Sequence, residues 1–232
     1  MYLLRYDVSG DYDIRFPVDE GDLVPLAEAY VRYEATLSPA DALHDIPCAE
    51  IQAALAAVKS AQAAQLAAEV DRASAANRFL QTSRQARPRL DRLIIRLKSR
   101  HVHNLADLGL YGLRTRLRQR GGLGVRKPAN RLDWLKFLND YLSEAGRQPE
   151  AERLTDPSFE ELTQLAQTLN TAREVRDRAQ TRREVSVRAR KAATLRLRNL
   201  LQVAAAIRIV KQYGGNVSVE LAKWGYTVVA RK

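Results

Sequence analysis

Side chains able to make and break bonds are few in this sequence. The histidines are His44, His101 and His103, and the one cysteine is Cys48. On a helix, His101 and His103 would point about 200° apart, which makes a poor chelate. His101 instead continues an apolar stripe, so it reads as a core or interface histidine. Cys48 follows Asp45-Ile46-Pro47, a helix-start signature, in a first turn whose dipole can lower a thiol pKa. No base partner accompanies it, and it reads as structural. Gly121-Gly-Leu-Gly124-Val-Arg-Lys127 sets glycines ahead of a lysine as a phosphate loop does. Pro128, however, stands where that loop needs serine or threonine. Asp19, Glu20 and Asp22 read as helix-capping or solvated acids. No Ser/His/Asp spacing, His-Glu-x-x-His motif or carboxylate dyad stands out. The expectation is a non-enzymatic protein with no cofactor and no metal site.

Arginine carries the chemistry that remains. The chain has 38 Lys and Arg against 27 Asp and Glu, a net charge of +11. Thirty of the basic residues are arginine, whose planar fork pairs with carboxylate or phosphate through two bonds. The charge is segregated along the chain. Residues 1–83 sum to −7, 84–132 to +12, 133–171 to −5, 172–200 to +7 and 201–232 to +4. The candidate phosphate- or partner-binding residues lie in the strongest basic block. Arg89, Arg92, Arg96 and Arg100 share one helix face, and Arg114, Arg116, Arg118, Arg120, Arg126, Lys127 and Arg131 form an acid-free run. Three readings of that run stay open: a solvated linker, a dock for an acidic surface of this chain or a neighbour, and a phosphate site. Only Tyr111 is aromatic between 84 and 131, which disfavours base stacking on single strands. Duplex DNA bound through its phosphates remains compatible.

The elements that must carry these residues are mainly helical. No glycine occurs between Gly21 and Gly109 or between Gly146 and Gly214, and Pro88 is the one proline between Pro47 and Pro128. Stretches 48–87 and 158–213 are free of both breakers; the second is either one long helix or a hairpin turning near 192–194. Nine of the sixteen residues at 53–68 are alanine, the strongest helix former. Leu90, Leu93, Ile94, Leu97, His101, Leu105 and Leu108 trace one apolar stripe, with the four arginines opposite. Trp134, Phe137 and Tyr141 space as a packing stripe. Residues 2–16 alternate around Ser9-Gly10-Asp11 as a β-hairpin, and the Tyr226–Arg231 tail is β-rich enough to add a strand.

The halves resemble one another. Leu105-Ala-Asp-Leu-Gly-Leu matches Leu221-Ala-Lys-Trp-Gly-Tyr at an offset of 116, and Leu90, Ile94 and Leu97 match Val203, Ile207 and Val210 at 113. Gly109 and Gly225 are the expected left-handed stops. The expected architecture is mainly α, a long-helix bundle of two tandem helical repeats with small β additions at the termini. Its divisions are an N-terminal hairpin (1–20), repeat 1 (21–113), a basic linker (114–131), repeat 2 (132–225) and a C-terminal strand (226–232). The first function expected is a structural or assembly component that self-associates or takes a protein partner, acidic blocks of one subunit meeting basic blocks of the next. The alternative is a nucleic-acid-associated protein using residues 84–131 and 172–200. The N-terminus is no signal peptide and no apolar run spans a membrane, so a soluble, cytoplasmic protein without membrane insertion is expected.

Overall fold

The computed structural model describes residues 2–4, 10–38, 40–117 and 123–231. In chain order it has strands β1 (Tyr2–Leu4) and β2 (Tyr12–Phe16), then helices α1 (Glu20–Glu34) and α2 (Cys48–Arg100). A 3-10 turn (Leu105–Gly109) leads to strands β3 (Arg114–Leu117) and β4 (Leu123–Arg126) and to helix α3 (Arg131–Arg147). A second 3-10 turn (Glu150–Glu152), helix α4 (Phe159–Gln212), a third 3-10 turn (Val219–Trp224) and strand β5 (Thr227–Ala230) complete it. The protein is thus mainly helical, with a few short antiparallel strands. Among the described residues no helix is long and apolar enough to cross a membrane. Of the two readings for 158–213, the continuous helix holds: α4 runs unbroken for 54 residues. Helix α2 continues through Pro88, whose missing N–H removes one bond to the fourth residue before it. Ala86 and Leu90, both buried, anchor the helix on either side.

Two compact units make up the chain, and they do not follow its linear halves. Unit 1 is Met1–Glu69 with Arg183–Lys232; unit 2 is Val70–Arg182. In unit 1 the sheet order is β1-β2-β5, all antiparallel, with β2 paired to β5 from Tyr12↔Ala230 to Arg15↔Thr227. Helix α1 buries Leu23, Leu26, Ala27, Tyr30 and Glu34. They join a core with Ile51 and Val58 of α2 and Leu197, Leu201 and Ala205 of α4. Gly225 ends the last 3-10 turn at φ +87, and an added Cβ would lie 2.6 Å from Ala29 Cβ of α1. Strain and overlap therefore combine at that position, and Gly225→Ala is expected to cost about 2–4 kcal/mol. Urea unfolding checks this, and Ala29→Gly in the same chain should recover the overlap share.

Unit 1 also buries charge. Glu34 receives a guanidinium hydrogen bond from Arg208, the indole N–H of Trp224 at 2.9 Å and the backbone N–H of Leu43 at 3.1 Å. Arg208 lies fully buried, 4.1 Å from the Trp224 ring centroid, and donates to Gln212 at 3.0 Å. Burial, helped by the Glu34 charge, pushes the Tyr30 phenol up to about 12. A phenol raised in the fold stabilises it fully below the unfolded value near 10 and loses that contribution as pH climbs toward 12. Tyr30→Phe should therefore flatten the fall in stability between pH 10 and 12 read by urea unfolding, a difference on the order of 2 kcal/mol.

In unit 2, β3 and β4 pair antiparallel from Arg114↔Arg126 to Leu117↔Leu123. The segment expected as a linker is therefore partly a two-stranded sheet, in which Thr115 and Val125, directly opposite each other, carry the β preference. Helix α3 opens on a capping box, Asn130 accepting from the Asp133 N–H and Asp133 from that of Asn130. It buries Trp134, Phe137, Leu138, Tyr141 and Ala145, in one core with Leu90, Leu93, Ile94 and Leu97 of α2 and Leu162 and Leu169 of α4. Gly112, at φ +75, sits where a Cβ would fall 2.4 Å from Asp140 Oδ2.

Burial recurs at a fixed spacing of 111 positions. Each of the five buried residues of α1 has a buried counterpart in α3, Leu23 with Trp134 through Glu34 with Ala145, while the sixth buried residue of α3, Leu135, answers the half-buried Val24. Ile51, Ala54, Leu55 and Val58 correspond with Leu162, Leu165, Ala166 and Leu169, and Ala86, Leu90, Leu93, Ile94 and Leu97 with Leu197, Leu201, Ala204, Ala205 and Arg208. Beyond the helices the spacing is 113, Leu108, Tyr111 and Gly112 answering Leu221, Trp224 and Gly225. With these spacings the β2–β5 and β4–β3 registers are the same. This corrects the offsets read from residue identity. Val203 and Val210 are 48% and 68% exposed, so they do not answer the buried Leu90 and Leu97. The left-handed stop is Gly112; Gly109 lies inside the 3-10 turn without a positive φ. Ser9, in the expected hairpin turn, lies outside the described residues.

Candidate anion-binding face of the second unit

Five of the eleven candidate basic residues meet acceptors of their own unit among the described residues. Arg89 pairs with Glu161 at 2.7 Å, Arg92 and Arg96 both reach Asp156 at 3.7 and 3.4 Å, and Lys127 pairs with Asp91 at 2.6 Å. Arg100 donates to the carbonyl of Glu152. These are exposed pairs worth little stability each, yet they spend the cations along that face of α2. Arg114, Arg116, Arg126 and Arg131 are exposed, and no carboxylate among the described residues lies within ion-pair distance of them. Arg118 and Arg120 lie outside the described residues.

The unspent cations gather around two depressions. The smaller, about 130 Å³, is lined by Arg114, Arg126, Lys136 and Phe137, with Gly112 and Asp133. Pairing sets Arg114 directly opposite Arg126, a like-charge placement that works against the sheet. Asp133 is occupied by the capping box. The larger, about 500 Å³, lies among α2, the start of α3 and α4. Arg84, Arg87, Arg131 and Arg176 line it above an apolar floor that includes Leu90, Trp134 and Leu169. Arg87 lies 5.8 Å from the Trp134 ring centroid and Arg176 4.9 Å from that of Phe79. Arg176 also pairs with its neighbour Asp177 at 2.6 Å.

Sequence reasoning singles out none of Arg84, Arg87, Lys136 and Arg176, although Arg84, Arg87 and Arg176 fall within the basic blocks 84–131 and 172–200. Arg84 and Arg87 adjoin the basic face and share a helix side at a spacing of three, which was a usable signal. Arg176 comes from α4, and only folding brings it there.

Comparison of the units isolates what is particular to this face. Unit 2 holds 23 basic and 13 acidic residues, net +10; unit 1 holds 15 and 14, net +1. Unit 1 matches its long basic tail to its acidic front. Arg183 pairs with Glu69 at 2.8 Å, Arg190 with Glu20 at 2.8 Å, Arg196 with Glu50 at 3.2 Å and Arg231 with Asp13 at 3.0 Å, and Lys211 pairs with Asp45. Position by position, unit 2 has Arg114, Arg131, Lys136 and Arg176 where unit 1 has Thr227, Glu20, Pro25 and Gln65.

Other chemistry does not collect here. No group of His, Cys, Asp and Glu able to hold a metal forms among the described residues. His101 is half-buried, its Nδ1 3.6 Å from Asp107, and burial with the Glu34 charge pushes the Cys48 thiol up, away from a reactive thiolate. The arrangement can attract, orient and desolvate an anion. No protein-family model, curated protein or solved structure matches the chain, so this face and its chemistry stand as the ground for a functional reading.

Proposed function

We propose that the chain is a non-enzymatic binding protein whose second unit engages duplex nucleic acid through its phosphates. The carrying observation is the net +10 of unit 2 beside the near-neutral unit 1, with Arg114, Arg116, Arg126 and Lys136 exposed and unspent. Cations held against like charge are suited to a polyanion, and a phosphate backbone releases its counterions on meeting them. The scarcity of aromatics on this face fits a duplex better than a single strand. A fluorescence-anisotropy titration of a labelled duplex tests the reading. Binding at low salt should weaken steeply on a log–log plot as salt rises; absence of binding at low salt rejects it.

Self-assembly is the second reading. The charge complementarity between acidic and basic blocks is largely met inside unit 1, so it supplies less drive between chains than the blocks alone suggest. What supports assembly is β5, which has β2 as its one strand neighbour among the described residues and so offers an edge for strand addition. Light scattering that returns a monomer at high concentration removes this reading.

Tandem duplication of a module of about 111 residues accounts for the recurrent burial and strand register. On this proposal each unit takes parts from both copies, since β2 pairs with β5 and β3 with β4. A chain cut at a protease site engineered between Gln119 and Arg120 should elute from a sizing column as one particle. Separate elution of the fragments under native conditions contradicts the exchange.

A further inference from the structure

We propose that the larger cavity of unit 2 binds a small phosphomonoester carrying a flat apolar group. Arg84, Arg87 and Arg131 surround it with no carboxylate in ion-pair distance among the described residues, and no acid lines it. Among the described residues Arg176 is the one arginine of the four that pairs with a carboxylate, Asp177. Guanidinium groups gathered without a counter-charge repel one another, and an anion between them turns that repulsion into charge-assisted hydrogen bonds.

A second observation comes from the matching cleft in unit 1, about 580 Å³. There Glu20 stands at the position of Arg131, accepts from Arg190 Nε at 2.8 Å, and Gln65, at the position of Arg176, accepts from Arg190 at 3.1 Å. That cleft contains its own anion. The cavity in unit 2 has exchanged the carboxylate for a further arginine and so requires the anion from outside. Its apolar lining, in which Leu132 is exposed and Leu80 half-buried beside the buried Leu90, Trp134 and Leu169, sets the rest of the ligand. Free phosphate would leave Leu80 and Leu132 wet, whereas an aromatic ester covers them. Two negative charges on a phosphomonoester suit several forks better than the single charge of a carboxylate. The inference is independent of duplex binding, which uses the strand face and Lys136.

Calorimetric titration of the full chain with phenyl phosphate tests it. One site with Kd at or below about 1 mM is expected, with inorganic phosphate at least tenfold weaker. Arg131→Glu returns to unit 2 the carboxylate that unit 1 holds, and should abolish the binding while leaving the melting temperature near that of the parent chain. Arg84→Gln, at an exposed and unpaired position, should weaken it several-fold and serves if Arg131→Glu fails to fold. No measurable binding, equal affinity for inorganic phosphate, or unchanged affinity in either folded variant overturns the proposal. Duplex binding measured on the same samples separates the readings: its loss with phenyl phosphate binding intact counts against the polymer reading alone, and the converse against this site alone.

Discussion

Glu34→Ala is expected to destabilise unit 1 by about 3–5 kcal/mol, the cost of leaving the fully buried Arg208 guanidinium without its counter-charge. The same change also strips an acceptor from the Trp224 indole and the Leu43 amide. Unit 2 shows what an apolar solution looks like at these positions, with Ala145 answering Glu34, Leu97 answering Arg208 and Tyr111 answering Trp224. The double variant Glu34→Ala with Arg208→Leu copies the first two and should recover at least half of the loss, because no charge then remains buried alone. Two orphaned donors limit the recovery. Urea unfolding with an unchanged slope reads both values. A single variant within about 1 kcal/mol of the parent, or a double variant no better than the single, contradicts this account of the pair. On the duplication proposed above, Glu34 belongs to the first copy and Arg208 to the second, and exchanging either for its counterpart would leave a charge unmatched.

Arg114→Gln, Arg126→Gln and Lys136→Gln together are expected to weaken duplex binding by one to two orders of magnitude at low salt. The salt slope should shallow by about three, one for each phosphate contact removed. Arg114 and Arg126 face each other across β3 and β4, so their neutralisation should also leave the sheet no less stable. A binding loss therefore cannot be assigned to unfolding when circular dichroism and melting temperature stay at the parent values. Equivalent glutamines at Arg196 and Lys211 in unit 1, where both cations already face carboxylates, should barely change affinity. Equal losses from the two sets contradict the assignment to unit 2.

Local signals in the sequence carried the elements well and the pairings poorly. The breaker-free runs, the alanine block and the leucine stripe specify α2 and α4 because helix formation depends on near neighbours. Alternation at both ends specifies the terminal strands for the same reason. The distant carboxylate partners of the basic blocks lie between 36 positions away, as Asp91 is from Lys127, and 170, as Glu20 is from Arg190, and no local pattern encodes them. Arg92 and Arg96 looked like a free face because Asp156, which meets both, arrives sixty positions after Arg96. The offsets read from residue identity differ from those at which burial repeats, since Leu-Ala-x-x-Gly is short and Gly109 is conformationally ordinary, whereas Gly112 and Gly225 share the left-handed backbone and the close approach of a helix. The cavity arginines come from α2, α3 and α4, so only the fold assembles them.

Hydrogen–deuterium exchange of the full chain with and without a saturating duplex tests most directly whether unit 2 is the binding unit. Slowed exchange is expected over 112–117 and 123–137, with residues 12–34 and 196–230 unchanged. Protection centred on unit 1, or none anywhere at low salt, would contradict it.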